Sequence, residues 1–256
     1  MPRPYIGICD FTAPEQAERL LAILPENFSH DLMVGVMMSR KTLYDIPSKW
    51  TNVFPQKESI GGIFVPDMRA MNTIHYADYN IGDARDRLLA DTLARVQSYG
   101  GPYLDAIQLD MIWPDSIEVR RFRERFDIPI ILQVGTKAME LCGDDPIRVC
   151  QRLALYDKSV DYVLFDKSGG EGKGMDAALL STYIEAMRSR HPSLMPAVGG
   201  GLGPFTMHLM EPLATQYPHI STDMQGQMRS SGNIIFPIEW DRAESAFRQA
   251  IALFSQ

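Results

Sequence analysis

Cysteine is scarce in this sequence, and so are long apolar runs and positive charge. The three cysteines, Cys9, Cys142 and Cys150, are odd in number and form no Cys-x-x-Cys pair. That excludes a disulfide scaffold and a paired-cysteine zinc motif, and it suggests a reducing, cytoplasmic setting. No stretch approaches the ~20 apolar residues that span a bilayer, and MPRPYIGICD lacks the long apolar core of a leader peptide. A soluble intracellular protein is the expectation. Lys and Arg number 25 against 32 Asp and Glu, for a net charge of −7. Such a balance argues against a nucleic-acid groove or a polybasic membrane surface, so any phosphate site must be built locally.

What is present is enough apolar sequence, 45% of 256 residues, to fill the core of one large domain or two small ones. Short apolar runs alternate with segments of helical period along the whole chain, with no break of linker composition. This alternation predicts a parallel sheet wrapped by helices. Tyr5–Cys9 reads as the first strand. Thr12 then reads as the cap of a helix from Pro14, with Glu15 as its capping-box partner and Ala17, Leu20, Leu21 and Leu24 on the inner face. Asp31–Met38 is apolar throughout, as a strand buried on both faces requires. Ile60–Val65 and Asn72–Tyr76 compete for the third strand; the second is favoured, with a helical turn around Glu58–Phe64. Asp83–Tyr99 has helical spacing through Leu88, Leu89, Leu93 and Val96 and stops at Gly100-Gly101.

Four strand and helix pairs follow: Ala106–Leu109 with Ser116–Phe126, Pro129–Val134 with Pro146–Tyr156, Tyr162–Phe165 with Met175–Arg190, and Met195–Val198 with a short helix after Pro204. Ile220–Asp223 and Asp241–Phe254 complete the series. Eight such units in a chain of this length predict a single α/β domain, a (β/α)8 TIM barrel, over residues 1–256. The rival is an open doubly wound sheet, but no Gly-x-Gly-x-x-Gly follows the first strand.

Chemistry in such a barrel sits at the carboxyl ends of the strands. Those positions are Cys9-Asp10, Ser39-Arg40, His75, Gln108–Asp110, Gln133, Asp166-Lys167, Gly199–Leu202 and Asp223–Gly226, a polar set after apolar runs. VGGGL ends strand seven; Gly199, Gly200 and Gly201 let a phosphate approach backbone N–H groups, with Gly226 as the second half of the cradle. A tight strand-to-helix turn would need the same glycines. Asp166 is a candidate general acid, against the simpler role of pairing with Lys167. Lys167 is a candidate Schiff-base lysine, though a surface or pairing role is favoured. Cys9 can act as a base where its surroundings favour the thiolate; an inert buried thiol is the commoner case. Asp10, Asp110, Asp166 and His75 form a conceivable metal set, but no His-x-His or His-x-x-x-His spacing supports one, and no metal is expected.

Taken in order, these motifs resemble one family. GICDFT (Gly7–Thr12) resembles the Lys-Ile-Cys-Gly-Ile-Thr start of phosphoribosylanthranilate isomerases, and LDAIQLD (Leu104–Asp110) resembles their Asp-x-Val-Gln-Leu-His strand. DYVLFDKSGGEGKGMD (Asp161–Asp176) is similar to their Leu-Leu-Asp segment and glycine loop, and VGGGL to their Ala-Gly-Gly-Leu. The resemblance implies a (β/α)8 barrel that performs a cofactor-free Amadori rearrangement of a phosphorylated aminoaldose to an aminoketose. It implies Cys9 as the base at sugar C2 and Asp166 as the acid at the ring oxygen. Arg40 would lie near an aromatic carboxylate, with Gly199–Gly201 holding phosphate. Gln108, Asp110 and Asp223 are further candidate substrate contacts.

The chain departs from the family where Asp10 replaces a Gly, Asp110 a His, and DMQGQMRSSG (Asp223–Gly232) the motif after strand eight. Asp10 and Asp110 are expected to place extra negative charge in the pocket. Extra length falls around 41–79. Two alternatives remain open: a Schiff-base lyase or aldolase using Lys167, and a barrel that binds a phosphorylated metabolite without catalysis.

Overall fold

The computed structural model describes residues 2–50, 52–79, 88–167 and 174–255. Eight parallel strands close into a barrel in sequence order. They are β1 (Tyr5–Cys9), β2 (Asp31–Ser39), β3 (Ala70–Ala77), β4 (Ala106–Asp110), β5 (Ile130–Gly135), β6 (Tyr162–Asp166), β7 (Met195–Gly199) and β8 (Ser221–Met224). β8 returns to β1 through the register Gly7 with Asp223. The expected barrel is therefore the fold, and Asn72–Tyr76 is the heart of the third strand. Lys57–Gly62 forms the expected helical turn, of 3-10 type.

The alternation of side chains along each strand divides the core in two. Ile6, Ile8, Val34, Ile74, Leu109, Leu132, Val163 and Val198 face the helices and join the larger apolar cluster. Tyr5, Cys9, Met33, Met71, Ala106, Ile131, Tyr162, Leu164 and Ala197 fill the barrel itself. Tyr5 and Tyr162 meet edge to face near its floor, ring centroids 5.4 Å apart. Period two then sets the site. Counting up by twos from Tyr5, Met71, Ala106, Ser221 and Tyr162 brings Cys9, His75, Gln108, Asp223 and Asp166 to the upper part of the interior.

One local expectation is revised, and the structure adds detail to others. Ala13, not Thr12, is the N-cap of Pro14–Leu21, and Gln16 rather than Glu15 reaches back, its Oε1 accepting from the N–H groups of Thr12 (2.8 Å) and Ala13 (3.0 Å). Gln16 is at N3 from Ala13, the position from which a side chain can reach the cap. The helix after β3 spans Leu89–Ser98; residues 83–87 of its expected start lie outside the described residues. A further short helix, Thr136–Glu140, follows β5 directly. After Pro204 the chain first turns, and helical structure begins only at Met207, as a 3-10 turn leading into Glu211–Gln216. No regular helix start therefore abuts Gly199–Gly201 among the described residues.

Candidate active site

A cleft of about 440 Å³ opens at the carboxyl ends of the strands. Asp110, Asp166, Gly199, Gly200, Gly201, Asp223 and Gly226 all line it, so seven of the ten expected site residues share one wall system. Gly200 (φ 118°) and Gly201 (φ 62°) take positive φ, a conformation that side chains resist. The loops after β7 and β8 are locked together at Gly203, where an added Cβ would lie 2.4 Å from Gln227 Cβ.

Cys9 and Gln108 do not line the cleft; they lie beneath it, fully buried. Cys9 Sγ is 3.2 Å from His75 Nδ1 and donates to Asp223 Oδ1 at 3.3 Å. Gln108 Nε2 donates to Asp223 Oδ2 (3.1 Å) and to Gln133 Oε1 (3.0 Å), which makes it a support for Asp223. His75 Nε2 faces Asp110 Oδ2 at 3.4 Å, and Tyr79 donates its hydroxyl hydrogen bond to the same carboxylate. The backbone at Gly35 leaves the space Sγ needs: a Cβ there would stand 2.8 Å from it. A lone glycine inside an apolar strand run is the sequence sign of such a close approach.

The electrostatics of this floor follow from burial and crowding. Burial pushes the Cys9 thiol well up, and Asp223, Asp10 and Asp110 push it further. The resting form is therefore the thiol, contrary to the thiolate-favouring surroundings a base would need. Asp223 is raised, chiefly by burial, although His75 and the bonds from Gln108 and Cys9 oppose it. Burial by itself would lower His75, but Asp110, Asp223 and Asp10 outweigh it and the imidazole is raised.

Asp10 corrects an expectation. It does not line the cleft but is buried against Arg229, whose Nη2 donates to Oδ2 at 2.5 Å, while Gln225 Nε2 donates to Oδ1 at 2.9 Å. Its charge is compensated, so it adds no repulsion toward an anionic ligand. Its φ of 75° lies in the left-handed region, a conformation uncommon for a residue with a side chain. Arg229 was not legible in the sequence, because nothing in QMRSSG distinguishes a buried arginine from a solvated one.

Arg40 lies outside the main cleft. It borders an adjoining cavity with Lys41, Trp50 and Phe54 that shares Tyr79, Asp110, Gln225 and Ile234 with the cleft. There its guanidinium stacks over Tyr44 and stands 3.9 Å from Asp78. The region around 41–79 thus walls one side of the mouth. Lys167 is ion-paired to Asp144 at 2.8 Å on the surface and does not line the cleft, in keeping with the favoured pairing role. Among the described residues it is part-exposed and partnered by a carboxylate, unlike the desolvated or cationic setting that activates a Schiff-base lysine.

The fold and cleft define a class: a (β/α)8 barrel with a polar, glycine-rimmed mouth over a buried Cys, His and Asp. Among solved structures the chain is similar to phosphoribosylanthranilate isomerase from Thermotoga maritima, at 18% identity and TM-score 0.62, covering 96% of this chain and 98% of that one. It is also similar to 3-keto-L-gulonate-6-phosphate decarboxylase from Vibrio cholerae, at 12% identity and TM-score 0.54, covering 99% of both chains. A third is a spore coat polysaccharide biosynthesis protein E from Chromobacterium violaceum, at 10% identity and TM-score 0.59, covering 99% of this chain and 75% of that one. No family model matches the sequence, and neither does any curated protein. At these identities the likeness establishes the barrel. Among the described residues no helix is long and apolar enough to cross a membrane.

Proposed function

We propose that the protein is an aldose–ketose isomerase acting on a phosphorylated aminosugar, in the manner of phosphoribosylanthranilate isomerase. The observation that carries this reading is that Asp166 and the glycines Gly199–Gly201 and Gly226 line one cleft directly above Cys9 and its partners. The resemblance of the sequence motifs and the structural likeness to a phosphoribosylanthranilate isomerase support it.

In this reading the backbone N–H groups of the two loops hold the phosphate, since the chain as a whole is acidic. Asp166 protonates the ring oxygen and opens the furanose. Cys9 takes the proton from C2. A resting thiol can do so only by first giving up its own proton, and Asp223 Oδ1, 3.3 Å away, is placed to receive it. Burial has already raised that carboxyl group's affinity for a proton. β1 and β6 are separated by β7 and β8 around the barrel, so acid and base approach the sugar from different sides, as the two proton transfers require. The reaction needs only side-chain acids and bases.

Purified protein offered phosphoribosylanthranilate should consume its fluorescence with time, and Cys9→Ser and Asp166→Asn should each abolish turnover. Absence of turnover by the unsubstituted protein overturns the substrate, and turnover that survives both substitutions overturns the mechanism.

A further inference from the structure

The floor of the cleft has a second chemical identity. Cys9, His75 and Asp223 each bring one donor atom to the same place: Sγ, an imidazole nitrogen and a carboxylate oxygen all lie within 4.8 Å of one another, and all three residues are buried. A tetrahedral zinc ion with Zn–S near 2.3 Å and Zn–N near 2.0–2.1 Å separates adjacent ligand atoms by about 3.5 Å. The observed Sγ to Nδ1 and Sγ to Oδ1 separations are 3.2 Å and 3.3 Å. They are a few tenths shorter because these atoms now meet one another directly.

Two independent observations distinguish this cluster from an ordinary hydrogen-bonded triad. The first is the outer shell. The far nitrogen of His75 makes no hydrogen bond but lies 3.4 Å from an Asp110 carboxylate oxygen; a small turn of the ring toward that oxygen would hold the proton on Nε2 and leave the Nδ1 lone pair for a ligand. The far oxygen of Asp223 is held by Gln108, itself held by Gln133. A carboxylate behind a ligating imidazole and an amide behind a ligating carboxylate are the supports that orient metal ligands. The second is access and charge. His75 and Asp223 line the cleft, so a fourth coordination position is open to substrate or water. Asp10 is already neutralised by Arg229, which leaves the two carboxylates of Asp110 and Asp223 beside one imidazole, negative charge that a dication would balance.

We propose that Cys9 Sγ, His75 Nδ1 and Asp223 Oδ1 form a three-ligand site for a divalent transition metal, with zinc the favoured ion and its fourth position open to the cleft. One thiolate and one imidazole select zinc or cobalt over magnesium or calcium, which take oxygen ligands. Binding exchanges the S–H bond for an S–metal bond, the proton leaving to solvent. The metal then occupies the lone pair that Cys9 would use as a base. Zinc and the isomerase chemistry proposed above are therefore mutually exclusive at Sγ, and in that respect alone the consequence rests on that reading.

Cobalt(II) tests the site without reference to turnover. Titrated into metal-stripped full-length protein, it should bind one equivalent, with a thiolate-to-cobalt charge-transfer band in the near ultraviolet and intense tetrahedral d–d bands in the visible. Zinc should displace it. Cys9→Ser should remove the charge-transfer band, whereas the double variant Cys142→Ser, Cys150→Ser should keep it. Asp110→Asn should weaken binding about 10- to 100-fold, as loss of an outer-shell partner does. No charge-transfer band in the unsubstituted protein, or a band carried by Cys142 or Cys150, overturns the proposal. Stoichiometric zinc should also abolish isomerisation; if the substrate assignment fails, the cobalt spectrum still decides the metal site.

Discussion

Asp10 and Arg229 form an ion pair buried at both ends, each side chain 1% exposed, that ties the turn after β1 to the loop after β8. Arg229 also donates to the carbonyl oxygens of Gln225 and Phe236, so the pair shapes the loop that carries Gly226. Removing one partner strands a charge away from water, which costs about 3–5 kcal/mol. Arg229→Met or Asp10→Asn should therefore lower the melting temperature by roughly 10 °C. The double variant should recover most of that loss, because no unpaired charge remains. A double variant as unstable as either single one would show that the pair does not act as a unit.

Gly35 of β2 stands beside Cys9 Sγ, and an added methyl would lie 2.8 Å from that sulfur and 2.9 Å from the carbonyl oxygen of Ile8. Gly35→Ala should destabilise the barrel by about 1–3 kcal/mol through overpacking, read by urea denaturation. It should also move Sγ and reduce turnover more than substrate affinity. Unchanged stability and turnover together would show that the strands part without cost.

His30 supplies a pH dependence remote from the cleft. Buried beneath the C-terminal helix, it stacks on Phe254 at 4.1 Å, and Nε2 lies 3.1 Å from the carbonyl oxygen of Ile220. Burial lowers its pKa to about 4, against the opposing effect of the Ile220 carbonyl. The unfolded chain takes up this proton near pH 6.5 and the folded chain only near pH 4, so the unfolded state binds more protons between them. Stability should rise with pH across that window, by on the order of 3 kcal/mol for a shift of this size. His30→Gln should flatten the profile between pH 4 and 6.5 in chemical denaturation. An equally steep profile in the variant would assign the effect to other groups.

Lys167 should be dispensable. Its ion pair with Asp144 is partly exposed, and such pairs contribute about 0–1 kcal/mol. Lys167→Met should leave the melting temperature within about 2 °C and preserve turnover, and borohydride should trap no adduct on Lys167 in the unsubstituted protein. A trapped adduct would restore the lyase reading.

Read along the chain, the sequence by itself determined the barrel and most of the cleft rim. Strand and helix periods are local properties, and eight alternations leave few ways to bury so many two-faced apolar strands. The glycines after β7 and Asp166 after β6 were legible for the same reason: in this fold a strand's end is an address. Boundaries and caps were less so, as at Ala13 and Gln16, where a one-residue shift changes which side chain reaches the free N–H groups.

Only the tertiary structure decided what those residues meet. His75 and Asp223 lie 66 and 214 positions along the chain from Cys9, and no local pattern encodes contacts made across the interior of the closed barrel. The same closure gives Asp10 the partner Arg229 and turns a suspected repulsive charge into a structural pair. It also buries the thiol among carboxylates, which keeps Cys9 protonated at rest and makes the floor of the cleft a fitting place for a dication. Pattern sets which residues face inward; the charge and protonation of the site depend on neighbours that only the closed barrel supplies.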